Sequence, residues 1–423
     1  MNKHLRILIA ILLVAVMVLG VVGCAKEDEP VTSDTTAPTD TTPDDTTGGE
    51  DPEPEDPKPE DPNNKPTSGT WEFKKLNYNT KGVNILGERN LTTRTDNGIW
   101  LDWAGSGIDI NLNLDGKQKV RFIIEANADC YFKVYLDGQH YKNGTDDYFL
   151  ILGQEEAEQI NLVDVLGGVH NIKIVKVNDY ATAVAEVLEV AFVGDIVETP
   201  TADKELYVEF VGDGITTGKG LMEGAEDATK AYAYLAAEKL GADYAITALD
   251  GYGLVYDEAR DMAAAYLQTS PRAAAKYKFE READVVVLNI GTVDYADDAL
   301  SEDDYAANFQ AAYLELLNTV RASNNKQTKI ICLYNACNDT YSAAILAAAQ
   351  AFGGEAKGVY TVKLDATKAT AEEGIAYPTA EEQAAYAEAV VAKINAVKDV
   401  KIQYPIVSGD GVVKDWADGV VPA

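Results

Sequence analysis

Histidine is almost missing from this chain: three residues in 423, at positions 4, 140 and 170, and none after that. The C-terminal half therefore has no imidazole to act as a general base. A Cys/His zinc site is excluded there as well. Positive charge is short too, with 36 Lys and Arg against 69 Asp and Glu and a formal net charge of -33. Such a chain is repelled by phosphate backbones and by anionic lipid, which argues against nucleic acid as a partner. Cysteine appears four times with no CxxC pair. Once Cys24 is set aside, Cys130, Cys332 and Cys337 are an odd number and are read as small buried thiols. Past residue 22, no apolar run approaches the roughly 20 residues that cross a bilayer.

The chain divides by composition. Lys3 and Arg6 precede an apolar run from Ile7 to Val22, which ends in Val21-Val22-Gly23-Cys24. A basic start and an apolar run mark an export signal. The ending resembles a bacterial lipobox, which implies that Cys24 is the lipid anchor and that the protein is held on the extracellular face of the cell membrane. Residues 25–70 are Thr, Asp, Glu and Pro with almost no large apolar side chain, so they read as an extended acidic linker. Residues 71–199 alternate short apolar runs with Gly, Asn and Asp turns, as in 120–124, 131–136 and 172–177. That spacing predicts a β-sandwich or jelly roll.

From residue 204 to 400 the rhythm becomes strand, then helix. Strands are expected at 206–211, 244–248, 285–290, 329–334 and 359–364. Helices are expected at 303–322, with Ser301 as N-cap, and at 380–397, opened by the capping box Thr379-x-x-Glu382. This alternation predicts a flavodoxin-like α/β domain with a parallel sheet and its ligand site at the carboxyl ends of the strands. Residues 401–423 read as a C-terminal tail.

The first of those strand ends runs Gly212-Asp213-Gly214-Ile215-Thr216-Thr217-Gly218-Lys219-Gly220. It misses the P-loop spacing by one residue either way, and Thr217 stands where a dinucleotide loop needs its third Gly, so phosphate binding is set aside. No cofactor is implied. The segment resembles the Gly-Asp-Ser-Ile-Thr-x-Gly block of SGNH (GDSL-type) hydrolases. Asp250-Gly251-Tyr252-Gly253, Gly291-Thr292-Val293-Asp294 and Tyr377-Pro378-Thr379 resemble the later blocks in order and spacing. Upstream, Ile85 to Arg89, Leu101 to Ile108, Val134 to Gly138 and Gly168 to Lys176 are similar to the jelly roll of carbohydrate esterase family 2. Members of that family remove acetyl groups from plant polysaccharides.

The departures from the family fall on its chemistry. Gly214 holds the nucleophile position and Tyr377 the base position. Gly374 holds the position of the acid, and Val293 that of the oxyanion Asn. The oxyanion positions are thus Gly214, Gly251 and Val293, of which only backbone N–H groups survive. Thr216 and Thr217 stand beside the vacant nucleophile position, and Thr216 is a normal family residue there. His140 and His170 belong to the β half. Gly214 is expected to serve a positive-φ turn. Tyr377 reads equally as a plug or as a face for a sugar ring. Trp100 and Trp103 read as core. Asp213, Asp250, Tyr252, Asp294 and Tyr377 are the candidate ligand cleft. Its three carboxylates also suggest a cation site or a glycosidase pair, neither of which is adopted. The expectation is a catalytically inactive, polysaccharide-binding surface protein with no metal. An active O-deacetylase with a non-standard site and a protein-interaction module remain open as alternatives.

Overall fold

The computed structural model describes residues 62–89, 98–179, 184–198, 204–223, 225–255, 257–270, 273–294, 302–337, 339–365, 377–407 and 413–417. The stretch read as an export signal, Cys24, Ser301, Gly374 and most of the stretch read as a linker lie outside the described residues.

Among the described residues, twelve strands form the first domain: β1 (Glu72–Lys75), β2 (Val83–Leu86), β3 (Ile99–Leu101), β4 (Gly107–Leu114), β5 (Gln118–Ala126), β6 (Cys130–Leu136), β7 (Gln139–Tyr141), β8 (Phe149–Ile151), β9 (Gln154–Val165), β10 (Gly168–Lys176), β11 (Ala185–Phe192) and β12 (Gly194–Ile196). They pair antiparallel into two sheets. One runs β1-β11-β5-β9 with β3 beside β11. The other runs β12-β4-β10-β6-β7 with β2 beside β4 and β8 beside β6. The period-two pattern decides what faces inward. Along β4, Ile108, Ile110, Leu112 and Leu114 are buried while Asn113 is exposed. They meet Phe132 and Ile172 of the same sheet and Phe122 and Val190 of the other in one apolar core. Part of the stretch read as linker is tied to this domain: Thr67 N–H donates to Lys117 O at 3.1 Å, and Lys117 N–H to Lys65 O at 2.7 Å.

The second domain follows as β13 (Tyr207–Gly212), β14 (Lys219–Met222), β15 (Ala225–Glu226), β16 (Asp243–Ala248), β17 (Gln268–Ser270), β18 (Ala273–Lys276), β19 (Val285–Asn289), β20 (Lys329–Tyr334) and β21 (Val359–Lys363). Five of these strands make a parallel sheet in the order β16-β13-β19-β20-β21, the flavodoxin-like arrangement. Every residue of β13 and β19 is buried, as expected of strands covered on both faces. The helices are α1 (Gly214–Thr217), α2 (Tyr232–Leu240), α3 (Met262–Tyr266), α4 (Glu302–Ser323), α5 (Ser342–Phe352) and α6 (Ala380–Val397). One core gathers Phe309, Tyr313 and Leu317 of α4. The other gathers Tyr232 of α2 with Tyr386, Val390 and Ile394 of α6. The Thr379–Glu382 capping box is present at the start of α6. The C-terminal stretch read as a tail carries two paired strands, β22 (Tyr404–Val407) and β23 (Val413–Ala417). Ile402 at its start is buried.

The domains are pinned together by buried polar groups. Arg89, just after β2, sends Nε to Glu209 Oε1 of β13 at 3.1 Å and Nη1 to Tyr266 O at 2.6 Å. Its guanidinium lies 4.3 Å from the Tyr277 ring centre and 4.8 Å from that of Tyr266. Lys133 of β6 reaches Asp227 at 3.0 Å and Thr229 at 2.9 Å. Trp103 is fully buried and joins the second domain's core, while Trp100 is half-buried in β3. All three described cysteines are free. Burial pushes the Cys130 thiol up to about 11 and that of Cys332 up to about 12, so both are inert. Cutting one partner of the Arg89–Glu209 pair strands a buried charge. Glu209→Ala is expected to lower unfolding free energy by about 3–5 kcal/mol. Urea denaturation checks this; a loss under about 1 kcal/mol would mean that the pair is not what joins the domains.

Candidate functional site

The site lies at the carboxyl end of β13, where the chain leaves the sheet and turns at once into α1. Asp213 caps that short helix by accepting from Ile215 N–H at 3.1 Å. Its other oxygen accepts from Gly291 and Thr292 N–H at 3.2 and 2.9 Å. Asp213 is therefore fully buried and belts the ends of β13 and β19 together. Burial pushes its carboxyl up to about 6, against the lowering effect of those N–H donors. Asp294, also fully buried, accepts from Leu254 and Val255 N–H. Neither residue faces a cleft, which corrects their place in the expected ligand site. Tyr252 packs, half-buried, against the core that holds Trp103 and Tyr266. The suggested carboxylate triad is thus divided among separate partners. Among the described residues, no group of three or more His, Cys, Asp and Glu is placed to hold a metal.

Gly214 opens α1 and its φ is not in the positive range, so the backbone does not demand glycine there. Space does. A Cβ built on Gly214 would come within 3.0 Å of Asp250 Oδ1, closer than Cβ atoms tolerate. It would also stand 3.0 Å from Tyr377 Cε1 and 3.3 Å from Lys219 Cβ. The carboxyl of Asp250 would have to shift to make room for a side chain at position 214.

Asp250 is held there from several directions. Oδ2 pairs with Lys219 Nζ at 2.9 Å, and Oδ1 accepts from Tyr377 Oη at 3.3 Å. Its backbone N–H donates to Asp179 Oδ2 at 3.0 Å, a contact from the turn after β10 of the jelly roll. Lys219 also reaches Glu226 Oε1 at 3.1 Å. Burial alone would lower the Lys219 ammonium, but the hydrogen bond and charge of Asp250, with Glu226, outweigh it and raise it. Burial and then the charges of Asp250 and Asp213 lift the Tyr377 hydroxyl well above the ordinary tyrosine range. Val293, at the oxyanion position, is an apolar side chain with no donor.

The two threonines beside Gly214 are committed and buried: Thr216 Oγ1 meets Tyr232 Oη at 3.0 Å, and Thr217 Oγ1 donates to Gly214 O at 3.1 Å. His170 Nδ1 meets Asp137 at 2.7 Å, and His140 Nε2 meets Asp147 O at 2.9 Å, both within the jelly roll. Between the ends of β19 and β20 opens a small pocket of about 30 Å³, lined in part by Thr292, Asn335, Cys337 and Ser342. Sequence reasoning missed Lys219, Glu226 and Asp179. Lys219 stood in the Gly-rich loop and was weighed only against a phosphate motif. Asp179 carries no local signal, because its role is a contact across domains.

Residues 210–399 match the family model described as GDSL-like Lipase/Acylhydrolase. The second domain is a GDSL-like lipase/acylhydrolase domain. Among curated proteins none matches the chain. The fold of jelly roll plus GDSL-like domain is that of solved carbohydrate esterases of family 2. The enzyme from Corynascus thermopiles (Myceliophthora fergusii) superposes with a TM-score of 0.63 at 21% identity, covering 74% of this chain and 99% of its own. The Clostridium thermocellum esterase, solved with cellohexaose, gives 0.63 at 21%, covering 74% and 98%. An acetyl xylan esterase from the rumen bacterium Butyrivibrio proteoclasticus gives 0.65 at 15%, covering 77% and 98%.

The Asp179 anchor of the GDSL-like domain carries a pH signature. Burial and then the nearby Glu226 charge push its carboxyl up from an ordinary 3.8 to about 6. A carboxyl raised on folding holds its proton more tightly in the folded state. Its contribution to stability is present below about pH 4 and is lost as pH rises through about 6. Asp179→Asn should therefore cut the stability lost between pH 4 and 7.5 by on the order of 2 kcal/mol. Urea midpoints of both proteins at the two pH values measure it; identical pH slopes would contradict the burial argument.

Proposed function

We propose that this is a lipid-anchored surface protein that binds polysaccharide in the cleft of its esterase-like domain without cleaving esters. The observation that carries the reading is the Asp250 carboxyl seated beside Gly214, where the family keeps its nucleophile. Acyl transfer needs an attacking oxygen and a base to take its proton. Gly214 offers no side-chain oxygen. Tyr377 keeps its proton far above neutral pH, so it makes a poor base. Position 293 supplies no side-chain donor, and losing one such donor costs about 10²–10³ in rate.

Carbohydrate is the ligand class favoured by the fold's relatives, one of which was solved with cellohexaose. The side chains present suit it: Tyr377 brings an aromatic face, and Asp250 brings acceptors for sugar hydroxyls. Anchoring rests on the sequence around Cys24, with the acidic linker as a spacer. Retention of the protein in gels cast with xylan, glucomannan or soluble cellulose derivatives tests the binding; mobility unchanged in every gel would sink it.

Reversion tests the loss of chemistry. Gly214→Ser alone collides with Asp250, so the variant must combine Gly214→Ser, Asp250→Ala and Tyr377→His. We expect it to release acetate from p-nitrophenyl acetate about 10²-fold above wild type, the size of a positioned base's contribution. Gly214→Ser with Tyr377→His, Asp250 left in place, should gain far less. Equal gains in both would show that the Asp250 carboxyl does not obstruct position 214.

A further inference from the structure

The geometry points to a site beside Gly214 selective for unacetylated polysaccharide, with Asp250 as the residue that sets the choice. The inference rests on the glycan-binding reading above and deepens it: the ligand would be the product of a deacetylase rather than its substrate. An acetyl ester offers acceptors only, since neither of its oxygens carries a hydrogen. A carboxylate is likewise acceptor-only, whereas a free sugar hydroxyl is a donor. In an acyl-transferring site the ester carbon must approach the nucleophile while donors face its carbonyl oxygen. Here the approach is closed by Asp250 Oδ1, with Tyr377 Cε1 and Lys219 Cβ also within contact range of a Cβ at position 214.

Asp250 keeps capacity for a hydroxyl. Oδ1 accepts from Tyr377 and Oδ2 from Lys219, which leaves lone pairs on both oxygens, and the side chain is 21% exposed. A hydroxyl turned toward it gains a charge-assisted hydrogen bond. An acetyl group in the same place sets its oxygens against those of the carboxylate and loses that bond. Val293 adds no side-chain donor that might reward the ester carbonyl. The carboxyl is also held firmly: Lys219 is anchored a second time by Glu226, and Asp179 fixes the backbone beneath it. Moving the Asp250 carboxyl aside to admit an acetyl group would break its bonds to Lys219 and Tyr377.

The test compares one polysaccharide in two states: O-acetylated xylan, and the same preparation after mild alkaline removal of its acetyl groups. Acetylated glucomannan treated in the same way gives a second pair. Dissociation constants are read by affinity electrophoresis for wild type and Asp250→Asn, with thermal transitions recorded alongside. Wild type should bind a deacetylated form about ten- to a hundredfold more tightly than its acetylated parent, the worth of one hydrogen bond lost against a partly buried, charged acceptor. Asp250→Asn keeps the shape but places a donor in the cleft, so the preference should shrink. Equal affinity of wild type for both forms, or tighter binding of the acetylated one, overturns the selectivity while leaving glycan binding intact. Failure to bind any of the four preparations overturns both. A full preference retained in Asp250→Asn removes Asp250 as its cause. Should Asp250→Asn fail to fold, the wild-type comparison still decides whether the selectivity exists.

Discussion

The carboxyl of Asp250, clamped by Lys219 and Tyr377 beside a glycine, is the constraint on which this account depends. A partly buried carboxylate needs partners in place, and the surrounding residues supply them. Lys219 brings the cation, and Glu226, almost fully buried, holds that cation from below. The glycine at 214 follows from this arrangement. It stands in a helical turn that any residue could adopt, so the neighbouring carboxyl, rather than the backbone, is what crowds a side chain there.

The clamp is assembled by both domains. Asp179 lies in the turn that ends β10 of the jelly roll, yet it accepts the N–H of Asp250 at the end of β16. That contact survives only if the domains keep a fixed orientation. Buried polar pairs such as Arg89 with Glu209 and Lys133 with Asp227 hold it, since separating them would leave charges without water or partner. The jelly roll is therefore part of the site.

Much of the architecture was legible in the residues. The strand at 329–334 and the helix at 380–397 coincide with β20 and α6, because a continuous apolar run and a capping box are local signals. Gly214, Tyr377 and Val293 were read as departures because the family blocks fix their spacing. What stands beside Gly214 was not legible. Asp250 reaches Tyr377 across 127 residues, and Asp179 reaches Asp250 across 71. No periodicity or short motif encodes such contacts. Asp213 and Asp294 looked like cleft residues because they follow strands, but backbone N–H groups draw them into the interior. The positive φ expected at Gly214 failed for a related reason: the loop begins a helical turn directly after the strand.

The central claim is that no side chain beside Gly214 acts as an acyl-accepting nucleophile. Whole-protein mass spectrometry after exposure to diethyl p-nitrophenyl phosphate tests it without assuming any glycan. An activated serine or threonine would displace nitrophenolate and keep the diethylphosphoryl group. The account predicts that the mass of the folded protein stays unchanged. Stoichiometric addition of one diethylphosphoryl group, mapped to a residue lining this cleft, would contradict it.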